Sequence, residues 1–173
     1  QGIAPEDIKL EDIKPEDVKP EDARQAPMQD ESRLMTAAIA AMGRAYAPYS
    51  NFPVGAAILD ETGTIHAGAN VENAAYPVGN CAEASAIAAM VMAAGTRIVM
   101  IAVAGGDGDL LCTPCGACRQ RIREFGDAAT PVLVGGPDGF QRRFTLGELL
   151  PESFGPENLV GQVGDDLADQ PVP

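Results

Sequence analysis

The sequence predicts an α/β domain of three layers, α/β/α, with helices on both faces of a mixed five-stranded sheet. Three observations lead there. Strand-type and helix-type runs alternate from about residue 30 onward, the pattern of a sheet covered on two sides. Residues 98–104 form a continuous apolar run closed by Gly105-Gly106, which suits a central strand buried on both faces. Residues 81–94 are rich in Ala and Met, as expected of a buried helix.

The elements follow in order. A first helix is expected from Asp30 or Glu31 to about Ala47, with Pro48 stopping it. Its Leu34, Ala38, Ala41, Met42 and Ala45 recur at three-and-four spacing and mark one buried face. Residues 53–59 and 64–69 read as strands joined by the hairpin connection Asp60-Glu61-Thr62-Gly63. The helix over 81–94 ends at Gly95. After the central strand, Pro114 leads into a helix over 115–125, and 131–134 is the next strand. Residues 140–144 fit a further, weaker strand, and Thr145 caps a short helix over 145–150.

Residues 1–31 read as a disordered acidic tail. Pro-Glu-Asp recurs at five-residue steps, at Pro5, Pro15 and Pro20, with Leu10 in place of Pro once. A period of five matches neither helix nor strand, and recurrent Pro removes helical donors. Every Lys (Lys9, Lys14, Lys19) lies here, while the rest of the chain uses Arg. The catalytic domain is expected over 32–160, followed by a flexible C-terminal tail over 161–173.

Composition narrows the function. A chain of 173 residues with 46% hydrophobic content supports one sizeable core. No apolar run reaches the roughly 18 residues of a membrane span, and no signal-peptide pattern is visible. The net charge of -13 disfavours nucleic acid, whose binding is driven by Lys and Arg on phosphates. Four Cys, three of them in metal-ligand spacing, suit reduced thiols in a cytoplasmic enzyme.

Those thiols carry the chemistry. Cys81-Ala82-Glu83 and Pro114-Cys115-Gly116-Ala117-Cys118 supply three thiols and one carboxylate, the inventory of a hydrolytic zinc site. Catalytic zinc keeps three protein ligands and leaves a position for water. A Glu two residues from a ligand stays beside that water as its base. Cys112 brings the thiols to four, enough for a structural zinc or an iron–sulfur cluster, but a cluster leaves Glu83 unexplained.

The words around the thiols sharpen the reading. Residues 46–56 (YAPYSNFPVGA), 70–76 (NVENAAY), Cys81-Ala82-Glu83, 114–120 (PCGACRQ) and 149–157 (LLPESFGPE) occur in that order. Together they resemble the small homotetrameric cytidine deaminases that act on free nucleosides, from about Arg33 to Leu159. The resemblance implies one zinc ion held by Cys81, Cys115 and Cys118, with Glu83 as the proton shuttle. It also implies that Asn70 and Glu72 bond the ribose hydroxyls, that Phe52 packs on the base, and that the backbone of Ala82 and Thr113 reads the base edge. Tyr76 and Phe154 match residues that close a neighbouring subunit's pocket. The expected reaction is zinc-dependent deamination of cytidine and deoxycytidine in pyrimidine salvage. Two alternatives stand beside it: deamination of a nucleoside antibiotic of the blasticidin type, and a non-catalytic Cys-rich metal-binding module.

Several residues have plainer readings. Cys112 stands where relatives usually carry Ser or an apolar residue, so it reads as a buried strand-end thiol. His66 lies in a strand outside every motif and reads as structural. Arg119, Arg121 and Arg123 read as a solvated helix face, with Arg119 placed to approach the thiols. Many relatives carry an Arg after the Glu, bonded to the thiolates; this chain has Ala84.

Overall fold

The computed structural model describes residues 20–107 and 110–159, with side chains from Met28 onward. The five-residue repeat over 1–19 and the tail over 161–173 lie outside the described residues.

Helix α1 spans Pro20–Met42, starting and ending earlier than the spacing predicts. Pro is well placed at a helix start, where its missing N–H has no partner to lose. The segment assigned to the tail therefore contributes residues 20–31 to α1. Pro27 removes one donor within the span without ending it. The early end has a tertiary cause. The Tyr46 N–H donates to the Asn70 carbonyl at 2.9 Å, and the Tyr46 carbonyl accepts from the Glu72 N–H at 2.8 Å. That pairing takes 46 out of the helix and lays the 46–52 loop beside Asn70 and Glu72.

The strands are β1 (Val54–Asp60), β2 (Ile65–Ala69), β3 (Ile98–Gly105), β4 (Pro131–Gly136) and β5 (Gly139–Thr145). They form one sheet in the order β2-β1-β3-β4-β5. Only the β3–β4 pair is parallel, so the sheet is mixed, with five strands as expected. Helices α2 (Ala82–Met92) and α3 (Gly116–Phe125) lie together on one face. Helix α1 covers the other. Alternation along the strands divides the core: Ala56, Ile58, Ile101, Val103, Val132 and Val134 face α2 and α3. Ala57, Leu59, Met100, Ala102, Ala104 and Leu133 face Leu34, Met35 and Ala38 of α1. The layers are α/β/α.

Two glycines let helices sit this close. A Cβ on Gly55 would lie 2.0 Å from the Ala38 carbonyl oxygen of α1, and one on Gly68 would lie 2.3 Å from the Ala86 nitrogen of α2. Only Gly fits at either crossing. Gly68 thereby fixes the height of α2 above the sheet.

The end of α2 corrects one expectation. The residue in the left-handed region is Ala94, at φ 64°, not Gly95. The Gly95 N–H donates to the Met90 carbonyl at 2.9 Å and the Ala94 N–H to the Val91 carbonyl at 3.0 Å, a Schellman closure. Gly95 is needed for space, because a Cβ there would meet the Met90 side chain at 2.6 Å. At the chain's other short helix, α4 (Leu146–Leu149), Thr145 caps as predicted and forms a capping box with Glu148.

His66 is buried beside Asp60, its Nε2 2.6 Å from Asp60 Oδ2. Burial pushes the Asp60 carboxyl up, but hydrogen bonds from His66, Thr62 and Thr64 outweigh it and hold the group well below its usual range. The pair closes the β1–β2 hairpin, the structural role expected of His66. No helix among the described residues is long and apolar enough to cross a membrane.

Candidate active site

Both thiol motifs enter the fold the same way. Cys81 caps α2 and Cys115 caps α3, each with extended backbone. Their thiols lie at the positive ends of two helices, a setting that favours anions. Cys118 lies one turn into α3 and is buried; Cys81 is half-buried and Cys115 exposed. The three Sγ atoms lie within 4.8 Å of one another. A tetrahedral ion with bonds of about 2.3 Å sets its sulfurs ~3.8 Å apart, so the cluster fits zinc.

The protonation of the thiols makes the same point. Burial raises Cys81 and Cys118, and the Glu83 charge raises Cys118 further. Burial also opposes ionisation of Cys115, but hydrogen bonds from the Cys118 N–H and from the Cys118 and Cys81 thiols bring it lower. Three crowded sulfurs with one favoured thiolate form a donor set that a dication completes. Cys112 is not among them. It packs over Gly105, where a Cβ would lie 2.5 Å from its sulfur, and burial followed by the Glu83 charge pushes its thiol to about 11.

Glu83, in the first turn of α2, is only 4% exposed. Cys118 Sγ donates to its Oε2 at 3.2 Å. The carboxylate thus lies within one hydrogen bond of the sulfur cluster. A pocket of about 330 Å³ opens beside it, lined by Phe52, Asn70, Glu72, Ala82, Thr113 and Glu83 among others. Cys81 and Cys115 reach the same pocket. Of the substrate-binding residues expected from the sequence, two lie outside this pocket: Tyr76 is 75% exposed and Phe154 is 58% exposed. Tyr76 faces Tyr49, ring centroids 6.0 Å apart, in an adjoining hollow of about 350 Å³ that shares Ser50 and Glu72 with the pocket.

The pocket wall is built by hydrogen bonds. Asn70 Oδ1 accepts from the Val54 N–H at 2.8 Å and its Nδ2 donates to the Phe52 carbonyl at 3.0 Å. The N–H groups of Tyr49 and Ser50 donate to Glu72 Oε2 at 2.9 and 3.1 Å. A bond from the Ser50 hydroxyl comes first in holding the Glu72 carboxyl low, against the effect of burial, with the Tyr49 and Ser50 N–H groups adding to it. With two N–H groups on Asn70 and about four lone-pair sites on Glu72, both side chains keep capacity for further partners. Sequence reasoning passed over Ser50 and Val54, which also line the pocket. Ser50 was within reach of it: the residue lies inside the 46–56 motif, and Ser before an Asn-x-Pro turn commonly bonds local backbone.

Ala84 lies outside this pocket, on an apolar groove between α2 and α3 that Arg121 also borders. The bonds of Arg119 go to oxygens beside the metal loop. Its guanidinium is bonded to the Pro114 and Leu149 carbonyls and the Thr113 hydroxyl.

Comparison with known proteins agrees with this geometry. Residues 28–134 match the family model for the cytidine and deoxycytidylate deaminase zinc-binding region. The cytidine deaminase of Sporosarcina psychrophila is 42% identical over 130 residues, covering 75% of this chain and 95% of that protein. That of Mycobacterium tuberculosis is 39% identical over 133 residues, covering 77% and 96%. The crystal structure of cytidine deaminase from Burkholderia pseudomallei superposes with a TM-score of 0.66 at 42% identity, covering 70% of this chain and 97% of that one. With the thiol cluster and the buried carboxylate in place, the chain belongs to the zinc-dependent cytidine and deoxycytidylate deaminase family.

Proposed function

We propose that this protein deaminates free cytidine and deoxycytidine to uridine and deoxyuridine, releasing ammonia, as a step of pyrimidine salvage in the cytoplasm. The observation that carries the reading is Glu83: a buried carboxylate in one pocket with the zinc thiols and the Asn70–Glu72 pair. Cys81, Cys115 and Cys118 would hold the zinc ion, which would lower the pKa of water and so supply the nucleophile at neutral pH.

The chain's own residues do the rest. Glu83 accepts a proton as water adds to carbon 4 of the pyrimidine and delivers it to ring nitrogen 3. It then takes the proton of the new carbon-4 hydroxyl and passes it to the amine, which leaves as ammonia as the C4–N bond breaks and the carbonyl forms. A carboxylate held out of bulk water suits that shuttle, since its affinity for the proton can lie near working pH. The backbone at Ala82 and Thr113 meets the base edge, Phe52 packs on the base, and Asn70 with Glu72 takes the ribose hydroxyls. The exposure of Tyr76 and Phe154 supports their donation to a neighbouring pocket in a homotetramer. A non-catalytic metal module has no use for Glu83, and a site built for a modified sugar has less use for Asn70 and Glu72.

Ammonia release over a panel of cytosine nucleosides, blasticidin included, tests the reading, with metal content measured on the same sample. Turnover of cytidine and deoxycytidine with about one zinc per chain is expected, as one three-ligand site requires. Turnover confined to the antibiotic, or none with zinc bound, overturns it.

A further inference from the structure

The arginines of α3 read from the sequence as a solvated face, but two of them are structural ties. Arg119 is half-buried, and its planar fork meets three oxygens. Nε donates to the Pro114 carbonyl at 2.7 Å, Nη1 to the Leu149 carbonyl at 2.8 Å, and Nη2 to the Thr113 hydroxyl at 3.3 Å. None of these bonds reaches a sulfur. Two of the three acceptors immediately precede the ligand Cys115, in a stretch without regular secondary structure. The third ends α4, where the chain turns toward Phe154.

Neighbouring residues extend the tie. Gln120 Nε2 donates to the Phe154 carbonyl at 2.9 Å, and Arg123 Nε donates to the Ser153 hydroxyl at 3.0 Å. Arg123 also pairs with Glu157. The helix that presents Cys118 therefore grips both the loop that presents Cys115 and the segment that presents Phe154.

We propose that Arg119 is a positioning residue for the metal loop. By holding Thr113 and Pro114 against its own helix, it fixes the spacing of Cys115 to Cys118 and the Thr113 wall of the pocket. A guanidinium is suited to this because its donors lie in one rigid plane and reach several acceptors at once; an ammonium of the same charge cannot. The metal part of the proposal stands on the thiol geometry alone. The substrate part rests on the reading of Thr113 given above.

The test uses the full zinc-loaded chain and follows zinc release to a chromogenic chelator, with the visible spectrum of the cobalt-substituted protein alongside. Arg119→Ala is expected to release zinc about 10- to 100-fold faster, the scale seen when the partners that orient metal ligands are removed. Its cobalt–thiolate bands shift, and KM for cytidine rises more than kcat falls. Arg119→Lys falls between it and the parent protein. Arg123→Ala, which loosens the Ser153 and Glu157 ties but leaves Thr113 and Pro114 held, keeps the parent rate and spectrum. Zinc release unchanged in Arg119→Ala overturns the proposal, as does equal acceleration in Arg123→Ala, which marks a general loss of stability. Should Arg119→Ala fail to fold, parent-like release from Arg119→Lys overturns it equally. An unchanged KM beside faster zinc release supports the metal part and tells against the pocket role of Thr113.

Discussion

Helices α2 and α3 do one job by different means. Each begins on a cysteine and aims its positive end at the sulfur cluster. Helix α2 is apolar almost throughout, buries Ala82, Ala86, Ile87 and Met90, and is seated by the missing side chain of Gly68. Helix α3 buries only Cys118 and Ile122, and is held from outside by the bonds of Arg119, Gln120 and Arg123. Packing fixes the helix that carries Glu83, and polar ties fix the one that carries Cys115 and Cys118. A buried helix holds a carboxylate at constant depth. A helix held by hydrogen bonds can transmit the position of one loop to another.

The largest effect is expected at Glu83, the one acidic side chain of α2. Glu83→Gln keeps the shape of the helix start and removes the ionisable carboxyl to which the proposed proton transfer is assigned. Turnover should fall at least ~100-fold, the usual scale for a lost general acid–base group, while zinc content stays at the parent value. Near-normal turnover means that another residue moves the proton. Next comes the seat of α2. In Gly68→Val, side-chain atoms meet the α2 backbone, which cannot swing aside like a side chain. Overpacking of this kind costs about 1–3 kcal/mol or more. Urea unfolding at parent stability would show that α2 is not seated there. Loss of any single polar tie of α3 should cost less, because its ties are several.

The hairpin under the end of α2 gives a pH test. A Cβ on Gly95 would lie 3.0 Å from Asp60 Oδ2, so α2 ends directly over the Asp60–His66 pair. The folded-state pKa of Asp60 is depressed from its ordinary 3.8, so its contribution is complete above that value and is lost as pH falls below it. Asp60→Asn should be clearly less stable than the parent at neutral pH, and the gap should narrow as the solution is acidified through 3.8. A gap independent of pH places the effect in packing, not in charge. Cys112→Ala is milder still. It removes a thiol that stands outside the cluster, so zinc content should not change; loss of zinc would make Cys112 a ligand after all.

The contrast between the two helices also explains what the sequence made legible. Periodicity and turn chemistry place the strands, α2, α3 and the Thr145 cap to within a residue or two, because those signals are local. The thiols, Glu83 and the pocket residues were found because short motifs hold them at fixed spacing. The boundaries of α1 were not legible. Its end is set by the pairing of Tyr46 with Asn70 and Glu72, far along the chain, and its start lies inside a repeat whose prolines argue against helix. The role of Arg119 was hidden for a similar reason. Its partner Leu149 is thirty residues away, and one turn of polar helix looks the same whether it meets water or a returning strand of backbone.

The smallest effect lies at the far end of α2. Ala94 adopts φ 64° to complete the Schellman closure, a conformation that crowds its Cβ against the backbone. Left-handed backbone costs a non-glycine residue roughly 1–2 kcal/mol, and Ala94→Gly removes that strain. The gain is offset in part, because Gly has more backbone freedom to lose on folding, by about 0.5–1 kcal/mol. Ala94 is exposed, so the methyl group takes little burial with it. The expected result is a modest net stabilisation, on the order of 0.5 kcal/mol, with zinc content and turnover unchanged. Gly at position 95 cannot serve instead, since the closure places the left-handed turn one residue earlier. A loss of stability in Ala94→Gly would mean that α2 ends without strain and that its C-terminal turn is held by packing on Asp60 and Met90 alone.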